Sequence, residues 1–222
     1  MGKIVTIHQP DFLPWRGFFD RWGKSDLYIV LDDVQFLRRG WHHRDKIKTK
    51  DGVKWLTVPV KKKGKYDQLI LEVEIDYSTD WQAKHLKTIE VNYKKAPNFE
   101  YYFDKLKSIY VKKHDLLIDL NMDLLIFVAE ELGIDTPAVF ASSYNVNSNS
   151  TERLIELVKA VGGNEYLTGT GSKGYLNEKL FQRKGIRVVW QNYEETFYKQ
   201  LHEDFVPHLS GLDYLMMKCK ND

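Results

Sequence analysis

The sequence predicts an α/β fold: a parallel five-stranded sheet of Rossmann-like layering, with a β-rich and a helical insertion between its second and third strands. Three observations carry this. Short β-branched or continuous apolar runs alternate with helical segments at both ends of the chain, as in βαβ units whose strands are covered on both faces. Between residues 38 and 133 that alternation stops. A basic stretch with hairpin turn signals comes first, followed by three helical repeats of apolar residues. The 222 residues are therefore read as a single α/β domain carrying a basic β insertion at 38–76 and a helical insertion at 78–133.

The first strand is Lys3-Ile4-Val5-Thr6-Ile7, ending in His8-Gln9-Pro10. Proline cannot continue a central strand, and Pro14 fixes a second backbone angle, so a stiff loop is expected at the strand's carboxyl end. Open α/β sheets place their ligands at that end. Arg16 to Lys24 reads as a short helix with Phe18, Phe19 and Trp22 along one side. Leu27 to Leu31 is a fully apolar strand ending in Asp32-Asp33-Val34-Gln35. Right-handed crossover makes these two strands parallel neighbours.

Lys54 to Val60 and Leu69 to Ile75 read as β segments, with turns at Lys50-Asp51-Gly52 and Lys63-Gly64 and with Pro59 marking an edge. Helices follow over Trp81 to Lys95, capped by Ser78-Thr79-Asp80, over Tyr101 to Lys113, and over Asp115 to Leu132, with Gly133 as C-cap. Leu117, Leu120, Leu124, Phe127 and Val128 recur at helical spacing and are assigned to core. Ala138 to Ala141 is the third strand of the sheet. A helix over Glu152 to Val161 is capped by Ser148 to Thr151 and stopped by Gly162-Gly163. Glu165 to Thr168 is the fourth strand, Leu176 to Lys184 a helix, and Ile186 to Trp190 the fifth strand. Gly211 to Lys218 is the last helix.

Composition and charge narrow the function. Apolar residues make up 43% of the chain, which excludes disorder. No stretch reads as a signal peptide or membrane span, so a cytoplasmic protein is expected. The single cysteine, Cys219, reads as a frayed terminal residue, with no disulfide and no cysteine metal site. Arg38 to Lys65 holds eleven Lys or Arg against two acids, a local +9, which leaves the remainder of the chain at −7. Such a block steers anionic ligands; it is too short, on an otherwise acidic chain, for nucleic-acid binding.

Two stretches carry candidate chemistry. His8 and Gln9 can position a reacting group, since imidazole is suited to acid–base work near neutrality. The turn Thr168-Gly169-Thr170-Gly171-Ser172-Lys173-Gly174-Tyr175 lets backbone N–H groups approach an anion ahead of a helix, with Ser172 and Lys173 as phosphate or carboxylate ligands and Tyr175 at its end. Of Asp32 and Asp33, adjacent residues on a strand end, at most one can face the site, to hold Mg²⁺ or accept a proton. Trp41 and Arg44 combine an aromatic plane with a guanidinium group, which suits phosphate clamping and sugar or base stacking. His42-His43 lacks a second cluster at ligand spacing and is expected at the surface, with no metal site.

The run Ile7-His8-Gln9-Pro10-x-x-Leu13-Pro14-Trp15-x-Gly17-Phe18-Phe19-Asp20, then Leu31 to Gln35, Trp41-x-x-Arg44-x-x-Ile47-Lys48 and Trp55 to Pro59, resembles the WbqC-like proteins. Tyr166-Leu167-x-Gly169, Tyr175-Leu176 and Trp190-Gln191-x-Tyr193 extend the likeness over nearly the whole chain. The resemblance implies a transferase acting on a nucleotide-linked amino sugar, moving an acyl or aminoacyl group, in synthesis of bacterial surface polysaccharide such as O-antigen. It implies Trp15, Asp33 and Gln35 as substrate contacts beside the residues above. A further likeness, to the nucleotidyltransferases of the HUP fold, implies ATP with Mg²⁺ and formation of an acyl-adenylate. Here only His8 follows the first strand, and Phe18-Phe19 stand where a second histidine would be sought. A non-catalytic sugar-nucleotide binding protein is the alternative of a different class. An oligomer is compatible with all three readings.

Overall fold

A computed structural model describes residues 2–202 and 204–218. In chain order its elements are β1 (Ile4–His8), α1 (Arg16–Gly23), β2 (Leu27–Val30), β3 (Arg44–Thr49), β4 (Gly52–Thr57), α2 (Trp81–Tyr93), α3 (Phe99–Val111), α4 (Leu117–Glu131), β5 (Ala138–Phe140), α5 (Ser150–Ala160), β6 (Glu165–Thr168), α6 (Glu178–Arg183), β7 (Arg187–Trp190) and α7 (Gly211–Met217). Cys219 lies outside the described residues. The chain divides into two compact units, one of residues 1–9, 17–33 and 133–194, the other of 10–16, 34–132 and 195–222.

The first unit contains the expected parallel sheet, with strands in the order β5-β2-β1-β6-β7. Numbered by their place among the five, that is 3-2-1-4-5, the order of a Rossmann half-sheet extended on one side. The apolar runs explain why each strand is central or edge. Val5, Ile7, Leu27 and Ile29 are buried, as all-apolar strands covered on both faces must be. They pack with Ile155, Leu157 and Val158 of α5 and with Phe181 of α6, whose ring stacks on Tyr166 at 5.1 Å. The aromatic side of α1 behaves as expected, with Phe18, Phe19 and Trp22 all buried and Trp22 Nε1 donating to the Thr136 carbonyl at 2.9 Å.

In the second unit β3 and β4 form the expected antiparallel hairpin, turned at Gly52 with φ +103°, a conformation that favours glycine. Asp80 caps α2 by accepting from Ala83 N at 3.1 Å, and Gly133 follows α4 with φ +71°. The expected α4 stripe is buried throughout. One buried network ties the hairpin to α2 and α7: Tyr93 Oη accepts from Lys48 N at 2.9 Å and donates to Asp213 Oδ1 at 2.5 Å. Tyr198 donates to the other oxygen of Asp213 at 2.7 Å.

Three local expectations are corrected. Leu69 to Ile75 is no strand. Ile70–Glu72 is a 3₁₀ turn, because the Glu72 carboxylate accepts from Leu69 N and the apolar residues fall inward, and only isolated bridges at Gln35–Leu69, Val60–Ile75 and Glu74–Leu116 remain. Pro59 lies beyond β4, not within it. The helix expected from Leu176 begins at Glu178, since the Asn177 side chain caps it by accepting from Leu180 N at 3.2 Å.

Candidate functional site

The carboxyl edge of the parallel sheet gathers most of the candidate residues. Register fixes their order. Thr6 pairs with Leu167, so His8 and Gly169 each stand two residues beyond the last pair on adjacent strands. His8 pairs with Val30, two residues before Asp32, and Val30 with Phe140, two before Ser142. Thr168 pairs with Trp190, so Gln191 follows directly on β7. Across the edge the row therefore reads Ser142, Asp32, His8, Gly169, Gln191. β1 and β6 flank the point where strand order reverses, and ligands of open α/β sheets bind in the crevice there.

His8 is half-buried, its ring edge-on to Phe18 at 5.1 Å. Its Nδ1 lies 2.9 Å from the Gln9 carbonyl. A carbonyl only accepts, so Nδ1 holds the hydrogen and Nε2 of the neutral ring carries the lone pair. Tyr28 Oη donates to the His8 carbonyl at 3.1 Å, fixing the strand end from β2.

The glycine-rich turn is organised differently from the expectation. A 3₁₀ turn at Thr170–Ser172 leads on from β6, and its bonds run from Ser172 N to Gly169 O, from Lys173 N to Thr170 O and from Tyr175 N to Ser172 O. No α-helix N-terminus opens directly onto it, because α6 starts only at Glu178 behind its own cap. The hydroxyls instead converge: Ser172 Oγ lies 3.2 Å from Thr168 Oγ1 and accepts from Tyr175 Oη at 3.1 Å. The Lys173 ammonium sits 5.4 Å from the Trp190 ring centre, and Trp190 Nε1 donates to Glu178.

The positive charge nearest Gly169 was missed by sequence reasoning. A Cβ placed on Gly169 would come within 2.6 Å of Arg21 Nη1, so only glycine leaves room for that guanidinium. Arg21 is buried and reaches Gln191 Oε1 at 3.5 Å. Gln191 is held by its Nε2, which donates to Gly17 O and Asp20 Oδ2, each at 2.8 Å. An arginine inside a short amphipathic helix reads as solvent-facing.

The two aspartates have structural partners. Asp32 accepts from Ser142 N at 3.0 Å and from Ser142 Oγ at 2.5 Å. Asp33 Oδ2 pairs with the Arg153 guanidinium of α5. Among the described residues no three His, Cys, Asp or Glu side chains converge as metal ligands.

Trp15, Gln35, Trp41 and Arg44 belong to the other unit and form no single group there. Trp15 packs edge-on to His208 at 4.6 Å, and Gln35 Nε2 donates to the Tyr66 carbonyl at 3.4 Å. Trp41 and Arg44 both meet Trp55, at 5.2 Å between rings and at 4.5 Å from the guanidinium carbon.

His42 and His43, expected at the surface, are buried, as is Asp45. Phe36 covers both imidazoles, at 5.6 and 5.2 Å, and Asn121 Nδ2 bridges the Pro10 and His42 carbonyls at 2.7 Å each. Burial lowers both histidines to about 4 and raises Asp45 to about 8.

No helix of the described residues is long and apolar enough to cross a membrane. No solved structure matches the chain. The uncharacterized protein Rv1507c of Mycobacterium tuberculosis is 39% identical over 215 residues, which cover 96% of this chain and 93% of that protein. The profile of the WbqC-like protein family matches residues 9–222, and the chain belongs to that family.

Proposed function

We propose that the chain is a transferase that moves an acyl or aminoacyl group onto a nucleotide-linked amino sugar, at the carboxyl edge of the β1–β6 pair. One observation carries the reading. The strand-order reversal is flanked by a histidine with a defined tautomer and by a glycine whose missing side chain admits a buried arginine. Arg21 and Lys173 supply charge for a diphosphate, and the Ser172 hydroxyl group supplies hydrogen bonds. The sugar amine attacks the acyl carbonyl carbon, the donor's leaving group departs with the bonding electron pair, and the amine proton passes to His8 Nε2. Asp32 acts through Ser142 in this scheme, holding the β2 end in place.

A second reading has its own support, since His8 after the first strand of a 3-2-1-4-5 sheet also suits activation of an acid by ATP. Magnesium would then enter on the nucleotide's phosphates and need few protein oxygens. Asp32 and Asp33 are the carboxylates that follow β2 at this edge, although each already has a partner.

The test is a thermal-shift screen with UDP-, dTDP- and GDP-linked amino sugars, since a ligand of the folded state raises its stability. Turnover of any hit is then measured with acyl-coenzyme A, or with free acid plus ATP and Mg²⁺. Loss of turnover with retained binding in His8→Ala supports catalysis. Unchanged turnover removes His8 from the chemistry, and binding without turnover of any donor by the wild-type chain leaves the binding-protein alternative. Pyrophosphate release dependent on the acid selects the adenylate route.

A further inference from the structure

The basic hairpin carries a feature that the sheet edge does not use. β4 is the outer strand of a two-stranded sheet, and an open groove of about 860 Å³ runs between it and α2. Trp55, Lys54 and Lys84 are among its lining residues. On the adjoining face Trp55 is paired across the hairpin with Lys46, and Arg44 follows at the next same-face position. Trp41 and Trp55 remain 46% and 40% exposed, their rings 5.2 Å apart and tilted by 41°. Arg44 lies 4.5 Å from the Trp55 ring centre and Lys46 5.4 Å from that of Trp41.

Among the described residues Lys50 pairs with Asp51 and Lys87 with Glu90, but Arg44, Lys46, Lys54 and Lys84 have no carboxylate within ion-pair distance. Half-exposed indoles beside unneutralised cations suit a ring that has an apolar face and carries negative charge. The groove falls within the roughly 300–1,000 Å³ typical of small-molecule sites. The rest of the chain is net acidic, so a long polyanion would meet repulsion beyond the patch while a short one would not.

We infer that the groove between β4 and α2 binds a sugar unit bearing a carboxylate or phosphate, its C–H face on the Trp55 indole and its charge on Lys54 and Lys84, with Arg44 and Lys46 adding positive field from the other face of the hairpin. The inference stands on the hairpin unit alone. It is independent of the sheet-edge reading, and His8→Ala leaves this affinity unchanged.

The full chain is titrated by calorimetry and tryptophan emission with a glucuronate-containing hyaluronan tetrasaccharide, neutral chitotetraose, UDP-N-acetylglucosamine, an oligothymidylate octamer and an octaglutamate peptide. The expected result is binding of the acidic tetrasaccharide or of UDP-N-acetylglucosamine at least about tenfold tighter than chitotetraose, which is about 1.4 kcal/mol. Tetrasaccharide alone identifies a glycan source, and UDP-N-acetylglucosamine alone, with affinity lost in the groove variants and kept in His8→Ala, a nucleotide-linked one. Trp55→Ala and the double change Lys54→Glu/Lys84→Glu each weaken binding about tenfold, while Trp55→Phe retains most of it. All three positions are exposed, so circular dichroism stays unchanged in these variants. Equal affinity for chitotetraose, no binding at millimolar sugar, tighter binding of the oligonucleotide or peptide, or insensitivity to the groove variants overturns the inference.

Discussion

Gly169→Ala isolates the close approach on which the sheet-edge site depends. The backbone at Gly169 is extended, φ −78° and ψ 153°, so an L side chain suits it and the whole cost is contact. The new Cβ would start 2.6 Å from Arg21 Nη1 and must open to about 3.4 Å, a displacement near 0.8 Å. Arg21 is 9% exposed, with Gln191 against it held by two hydrogen bonds, so it has little room to retreat. Overpacking of this kind costs about 1–3 kcal/mol, and the end of a flexible side chain places it near the lower figure. Lower entropy of the unfolded chain returns about 0.4–1 kcal/mol. The net loss is about 1 kcal/mol, read as a fall of roughly 2–4 °C in the unfolding midpoint for a chain of this size. Gly171→Ala is the control, because its Cβ meets nothing within 4 Å. Calorimetry gives the midpoints, and titration with the best nucleotide sugar shows affinity lost only in Gly169→Ala, as the guanidinium is displaced. Equal midpoints and equal affinities for the two variants would refute the reasoning.

Other expectations concern stability. Asp45, raised to about 8 by burial, stays protonated in the folded chain while it ionises near pH 4 in the unfolded one, so it makes stability fall as pH rises between those values. His42, His43 and His85, each lowered to about 4, act in the opposite direction between pH 4 and 6.5, leaving pH 6.5 to 8 as the window in which Asp45 dominates. Urea titrations there should show wild-type stability declining with pH and Asp45→Asn flat; equal slopes would count against the assignment. Arg153→Met strands the partly buried Asp33 carboxylate and should cost about 3 kcal/mol, with Asp33→Asn added to it restoring part of the loss. Additive losses in that cycle would deny the pairing. Phe181→Ala removes a fully buried ring stacked on Tyr166 and should cost about 3–5 kcal/mol in urea unfolding, a loss below 1 kcal/mol being inconsistent with the packing.

The parallel sheet was legible because its signal is local. Ile4 to Ile7 and Leu27 to Val30 are apolar enough that no other placement buries them, and His8 and Asp32 are then carried to the same edge by register alone. The α4 stripe was legible for the same reason. Leu69 to Ile75 misled because Val73 and Ile75, which follow the 3₁₀ turn in extended backbone, are buried alternately as they would be in a strand. His42 and His43 were misplaced since local polarity says nothing of the Phe36 ring that covers them or of Asn121, which holds the His42 carbonyl from far along the chain. Within the candidate site His8, Ser172 and Lys173 could be named from their neighbours. Arg21 and Gln191 could not, because their role depends on the packing of α1 against the β6–β7 edge.

Hydrogen–deuterium exchange of the full chain, with and without the nucleotide sugar that gives the largest thermal shift, tests the central claim most directly. Slowed exchange should concentrate at residues 8–9 and 169–175, with α5 unchanged. Protection confined to other segments, with those two stretches exchanging as in the free protein, would contradict a ligand site at the β1–β6 edge.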